Sequence, residues 1–338
     1  MIEQISKLVR GESLTETEAS AAMEKIMSGD ATPAQIAGFV VALRIKGESA
    51  DELTGLARAA RANATPIDAG EGLLDTCGTG GDGTGTFNIS TLAAIVAAAA
   101  GARVAKHGNR AASSVCGSAD VLEALGVKID LGAEGVTRCI REAGIGFLFA
   151  PVFHPSFRYA TGPRRELGVR TVFNILGPLC NPAGASRQAL GVADGALAAT
   201  MAEVLARLGV ERALVFHAED GMDELSTVAP STVIEINADE RREYRLDPGE
   251  LGLRAASAAD VRGGDAAENA AIARDVLSGA GGPRRDIVLL NAAAALRVAG
   301  LAGDWQEGMA AAAEAIDSGK AAATLERWVA VSQAVAVA

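Results

Sequence analysis

Aromatic side chains are scarce, at 4% of 338 residues, which disfavours a base-stacking platform for single-stranded nucleic acid. Positive charge is in deficit as well. The formal net charge is -11, and so acidic a surface repels nucleic acid and anionic membrane on average. Any polyanionic ligand must then be held by a local cationic site or a metal ion. Only three histidines occur, His107, His154 and His217, so a multi-histidine metal centre is nearly excluded. Cys77, Cys116, Cys139 and Cys180 lack Cys-x-x-Cys spacing and read as reduced thiols rather than disulfides or zinc ligands. The first residues carry no apolar signal-peptide core. The longest apolar run, 92–102, is too short to cross a bilayer. The expectation is a cytoplasmic protein with neither nucleic acid nor membrane as partner.

What is present is a hydrophobic content of 49%, ample for a large core, in a chain long enough for two domains. Residues 1–64 read as helices only. Thr15 with Glu18 and Ser49 with Glu52 form capping boxes. Thr32 before Pro33 opens a helix with an apolar stripe of Ile36, Phe39, Val40 and Leu43, which ends near Gly47. A linker follows, and from residue 70 short apolar runs alternate with helical stretches. Strands are expected at 73–76, 102–105, 146–150, 188–192, 213–217 and 287–290. Helices are expected at 90–100, 119–125, 196–208, 267–277 and 305–318. The fold class is α/β: a small N-terminal all-helical domain (1–64, rejoined by about 162–185) and a large α/β domain (70–338) with a mostly parallel sheet.

Four constellations carry chemistry. Gly78-Thr79-Gly80-Gly81-Asp82 sits between an expected strand and helix, where glycine lets backbone amides approach an anion. Thr86, Asn88, Ser90 and Thr91 add polar side chains there. Gly-Lys-Ser/Thr is absent, as is Gly-x-Gly-x-x-Gly, which disfavours nucleotide triphosphates and dinucleotides. Asp82 inside an anion loop calls for a cation or a sugar hydroxyl, since like charges ~4 Å apart repel by about 4 kcal/mol at an effective dielectric near 20. Residues 106–114, Lys106 to Ser114, followed by Ser118, suit a second phosphate. Asp223 and Glu224, after an apolar run, offer hard oxygens suited to Mg²⁺. Arg164 or Arg165 suits a substrate carboxylate, although one of them pairing with Glu166 on a helix surface is an ordinary alternative.

In that order, residues 78–91, 106–127, 164–183, 220–226 and 290–296 resemble the anthranilate phosphoribosyltransferases. The resemblance implies phosphoribosyl diphosphate and anthranilate as substrates, two Mg²⁺ ions and a homodimer formed through the helical domain. It assigns Gly78, Gly81, Asp82, Thr86, Asn88, Ile89, Ser90, Thr91, Lys106, His107, Gly108, Asn109, Arg110, Ala111, Ala112, Ser113, Ser114 and Ser118 to phosphoribosyl diphosphate. It assigns Gly78, Asn109 and Arg164 to anthranilate, with His107 and His154 lining that path, and Ser90, Asp223 and Glu224 to the metal. The approach to Arg164, Ala160-Thr161-Gly162-Pro163, departs from the family's Pro-Val. No dedicated acid or base is implied, because an aromatic amine is already unprotonated at neutral pH. The alternatives are a pyrimidine nucleoside phosphorylase of the same fold, or a non-catalytic nucleic-acid-binding relative, which the charge of -11 disfavours.

Overall fold

A computed structural model describes residues 1–111, 115–238 and 240–337. Four helices open the chain: α1 (Ile2–Val9), α2 (Glu16–Met27), α3 (Pro33–Lys46) and α4 (Ala50–Ala62). Both expected capping boxes form, and Gln35 completes a third with Thr32. Gly47, at φ 89°, stops α3 in a conformation that side chains rarely adopt.

The chain then runs through β1 (Leu74–Gly78), α5 (Ile89–Ala99), β2 (Val104–Gly108), α6 (Ser118–Ala124), α7 (Ala133–Ala143) and β3 (Ile145–Phe149). A helical excursion follows: α8 (Ala150–Phe153), α9 (Arg158–Leu167) and α10 (Phe173–Leu176). The sheet resumes with β4 (Arg187–Gly191), α11 (Gly195–Arg207), β5 (Arg212–Ala218), β6 (Ser231–Asn237) and β7 (Glu240–Leu246). Helices α12 (Ala266–Leu277), α13 (Pro283–Ala299), α14 (Trp305–Asp317) and α15 (Lys320–Val337) close the fold. The sheet order is β3-β2-β1-β4-β5-β6-β7. Strands β1 to β5 are parallel, and β6 and β7 add an antiparallel edge.

Side chains alternate across the pleat and so divide the core into two layers. Ala189, Leu214 and Phe216 face the layer built by α5, α7 and α12 to α15. Leu190, Ala213 and Val215 face the other, where α11, the N-terminal helices and residues 160–180 share one cluster.

Residues 287–290 correct a sequence expectation. They lie inside the 17-residue helix α13, with Ile287 through Leu296 all buried. A continuous apolar run suits a core strand and a fully buried helix equally, and length with Pro283 in the first turn decides. Helices α7 and α15 and strands β6 and β7 were also absent from the sequence reading. Strand β7 is largely charged, Glu240 to Arg245, as suits an edge that must not pair with another chain.

Candidate active site

The strand order changes direction between β1 and β4, and open α/β sheets bind ligands beyond the carboxyl ends of strands at such a switch point. Gly78 ends β1 and pairs with Gly191 at the end of β4. Asp223 crosses directly over both. A Cβ on Gly191 would collide with the Asp223 carbonyl oxygen, and one on Gly78 would collide with its carboxylate. Glycine at both strand ends is what admits the acidic turn into the crevice.

The acidic pair is tied to both ends of the glycine loop. The Gly80 amide donates to Asp223 Oδ2 at 2.6 Å, and the Ser90 amide donates to Glu224 Oε1 at 3.0 Å. Behind them Asn291 of α13 brackets the turn. It accepts from the Leu225 amide at 2.9 Å and donates to the Leu225 carbonyl at 2.9 Å. Asp82 stays on the loop, accepting from the Thr84 amide and hydroxyl. Burial, then the facing Asp82, holds the Asp223 carboxyl above its ordinary range. Burial and Asp223 do the same to Glu224, against the pull of Lys106 and the Ser90 amide.

Lys106, from β2, is almost fully buried, and its ammonium donates to the Thr76 carbonyl and, at 3.4 Å, to Ser90 Oγ. Crowded carboxylates beside one buried ammonium are electrostatically incomplete, which a divalent cation relieves. Ser90, Asp223 and Glu224 supply hard oxygens of the right chemistry. Among the described residues no three Asp, Glu, His or Cys side chains enclose a metal. An oxygen set this open suits Mg²⁺, which keeps water and takes substrate phosphate oxygens.

Other candidates have different neighbours. Arg110 turns to Asp120 and Glu123, each at 2.9 Å, and Asp120 also accepts from the Ala111 and Gly117 amides. Asn88 is engaged with the Cys116 carbonyl and Asn269. Ile89 and Thr91 face the core, so they offer the site only backbone. Thr86 forms an isolated bridge to Arg262. Ser118 donates to the Asn109 carbonyl at 3.3 Å and packs on Gly108, while the Asn109 side chain accepts from the Arg110 amide. Ala112, Ser113 and Ser114 lie outside the described residues.

An aromatic lane leads from β2 toward Arg164. His107 and His154 have ring centroids 5.1 Å apart, His154 stacks on Phe157 at 5.0 Å, and Phe157 meets Phe173 edge-on at 5.8 Å. The Arg164 guanidinium lies over Phe173, 5.3 Å from its centroid. Among the described residues neither Arg164 nor Arg165 pairs with Glu166. Burial lowers the His107 pKa to about 3 and also lowers that of His154, so both rings are neutral. Their nitrogens meet the Gly177 and Cys180 carbonyls at 3.1 and 2.8 Å. A lane of neutral rings ending in a guanidinium without an acid partner complements a planar aromatic carboxylate. Arg164 follows Pro163, which sits inside α9, so the departure from Pro-Val keeps a helix with an internal proline.

Four residues that sequence reasoning missed hold this arrangement. Asp75, fully buried in β1, accepts from the His107 amide and from Asn181, which also donates to the Ala105 carbonyl. Gly191 and Asn291 are the others. A carboxylate within an apolar strand was the available signal for Asp75. Gly191 and Asn291 had no signal in local pattern.

Comparison with known proteins agrees with this geometry. Residues 70–322 match the glycosyl transferase family a/b domain, and residues 2–64 match that family's helical bundle domain. The chain is 63% identical to anthranilate phosphoribosyltransferase 2 of Streptomyces coelicolor over 93% of this chain and 94% of the relative. It superposes on the crystal structure of anthranilate phosphoribosyltransferase from Thermus thermophilus with a TM-score of 0.92 and 49% identity, covering 98% of this chain and 99% of that one. The Saccharomyces cerevisiae enzyme, solved with PRPP and Mg, superposes with a TM-score of 0.90 and 29% identity over 98% of both chains. With acidic turn, glycine loop and both matched domains in the same chain, it belongs to the anthranilate phosphoribosyltransferase family.

Proposed function

We propose that this enzyme transfers the phosphoribosyl group of 5-phosphoribosyl 1-diphosphate to the amine of anthranilate, giving N-(5-phosphoribosyl)anthranilate and diphosphate in tryptophan biosynthesis. The observation that carries the reading is the pair of bonds joining Asp223 and Glu224 to the Gly80 and Ser90 amides. They put acidic ligands and an anion-binding loop in one crevice.

The donor binds along the glycine loop and the turn after β2, with Lys106 beneath. Ser90, Asp223 and Glu224 would hold Mg²⁺, two ions in this reading. Bound there, Mg²⁺ neutralises the diphosphate and makes it the better leaving group. Arg164 orients the acceptor by its carboxylate, and the His107–His154 lane presents the amine toward C1 of the ribose. The amine attacks C1 as the C1–oxygen bond to diphosphate breaks, and the amine proton then leaves to water. No strong base is needed, so rate comes from positioning and charge neutralisation.

The remaining parts of the reading concern assembly and address. Residues 1–64 with 162–185 act as the helical domain against 70–338 in this reading; Ile36, Leu43, Phe173 and Leu176 share one apolar cluster, which also takes in Leu190 and Val215 of the sheet. A homodimer through that domain is supported by apolar side chains left exposed on α1 and α3: Ile2, Val9 and Ile45. No helix among the described residues is long and apolar enough to cross a membrane. The test follows loss of anthranilate fluorescence with phosphoribosyl diphosphate and Mg²⁺. The signal should fall with time and stop on addition of chelator. A rate indifferent to chelator would remove the metal from the reading, and no reaction would remove the function.

A further inference from the structure

Besides Arg44, which pairs with Glu48 at 3.8 Å, four cations lie near the strand ends, and three have an occupation. Lys106 bonds to Thr76 and Ser90, and Arg110 to Asp120 and Glu123. Arg164 lies over Phe173 on the acceptor side. The fourth, Arg170, makes no side-chain hydrogen bond or ion pair among the described residues. It packs on Gly81 in the middle of the glycine loop, so closely that a Cβ there would overlap Arg170 Nη1. Gly81 has φ 72° and Gly80 has φ 68°, a backbone state that favours glycine at both positions, and at Gly81 the absence of a side chain is also what admits Arg170.

Arg170 itself is firmly mounted. The next residue, Thr171, is buried, and its amide donates to Asn174 Oδ1 at 3.0 Å. Beside the guanidinium lies a cavity of about 210 Å³ that Arg44, Glu48, Thr79, Gly81 and Thr171 help to line. Thr171 Oγ1, buried, has no partner there. Arg170 is six residues beyond Arg164, on the segment that leaves α9.

We propose that Arg170 is a positioning residue for the donor substrate: packed on Gly81, its guanidinium sets the glycine loop and supplies the positive field that draws diphosphate onto the loop's amides. The inference rests on the reading of that loop as the diphosphate site. A guanidinium has five donors and keeps its charge at any working pH, which suits it to this place better than lysine.

The test uses the full-length enzyme and the variants Arg170→Ala, Arg170→Lys and Glu224→Ala. Arg170→Ala should raise the Kd and KM for phosphoribosyl diphosphate about 10- to 100-fold, the loss expected of one charge-assisted interaction. The anthranilate KM should stay within about 3-fold. Arg170→Lys should recover part of the loss, and millimolar guanidinium should restore donor affinity to Arg170→Ala by refilling the vacated space. Unchanged donor affinity in Arg170→Ala would overturn the proposal. So would equal losses for both substrates with a lowered Tm and no guanidinium rescue, the pattern of a merely structural residue. If Arg170→Ala fails to fold, the KM split in Arg170→Lys decides in the same way. Should Glu224→Ala lose donor binding while Arg170→Ala keeps it, only Arg170 is misassigned. Should both bind donor normally, the reading of the loop itself fails.

Discussion

Burial and the lack of an acid partner are what support Arg164 as the proposed acceptor-binding residue. Desolvation lowers its pKa, and the Phe173 face beneath it is the companion a guanidinium takes when no acid is near. Arg164→Ala should raise the anthranilate KM by about 10- to 100-fold, with the donor KM changed far less. Steady-state kinetics with each substrate varied checks this, and an unchanged anthranilate KM would remove the clamp. Asn291 acts at second hand, by holding the backbone at Leu225 beside Glu224. Asn291→Leu leaves a buried amide and a buried carbonyl unpaired, a cost of about 2–5 kcal/mol. It should also raise the Mg²⁺ concentration needed for half-maximal rate, measured by metal titration at saturating substrates.

At the scale of elements, the caps were legible because a capping box is local: Thr15 and Glu18 need only each other's backbone. Glu52 does more than its box foretold. Fully buried, it also accepts from the Leu14 amide at 2.9 Å and from Lys46 at 2.8 Å, so it joins α4 to the entry of α2 and the end of α3. Glu52→Ala therefore strands the Leu14 amide, removes the counter-charge of Lys46 and loses a cap, and should cost about 3–5 kcal/mol. Urea unfolding monitored by circular dichroism checks it, and a loss below about 1 kcal/mol would reduce Glu52 to an ordinary cap. Helix α13 was illegible for the opposite reason. Its face is apolar all round because protein surrounds it on all sides, so no period appears for a pattern to catch. Strand β7 hid because it is a charged edge.

For the whole molecule, the neutral buried histidines set a pH dependence. His107 stays unprotonated in the folded state down to about 3, while in the unfolded chain it takes a proton below about 6.5. The unfolded state binds more protons in that window, so this stabilisation is complete above about pH 6.5 and is lost as pH falls toward 3. His154 shifts in the same direction. Asp223 and Glu224, whose carboxyls burial raises, work in the opposite direction over this window, so the test is a difference: between pH 7 and 5 the urea midpoint of His107→Asn, referred to its own value at pH 8, should fall less, or rise more, than that of the unsubstituted protein. Equal slopes would mean that carboxylates alone set the acid limb. Association is the second property at this scale. Ile45 is 82% exposed, with Ile2 at 71% and Val9 at 72% on the neighbouring helix. If the proposed homodimer forms through this face, Ile45→Glu should shift sedimentation from dimer toward monomer.

The sequence by itself determined the fold class, most parallel strands and the helices that carry local caps, because these depend on periodicity and on residues within one turn of each other. It also offered the segments proposed to bear phosphate and metal chemistry, because glycines, carboxylates and hydroxyls keep that chemistry in any fold. Only tertiary structure decided which of them meet. Asp223 reaches Gly80, 143 residues away in the chain, because Gly78 and Gly191 end neighbouring strands and leave room above them. The same packing turned Arg110 outward to Asp120 and Glu123, engaged Asn88 with Asn269, and set Arg170 on Gly81. A side chain's partner depends on strand order and on the space left between layers, and neither is written in the residues near it.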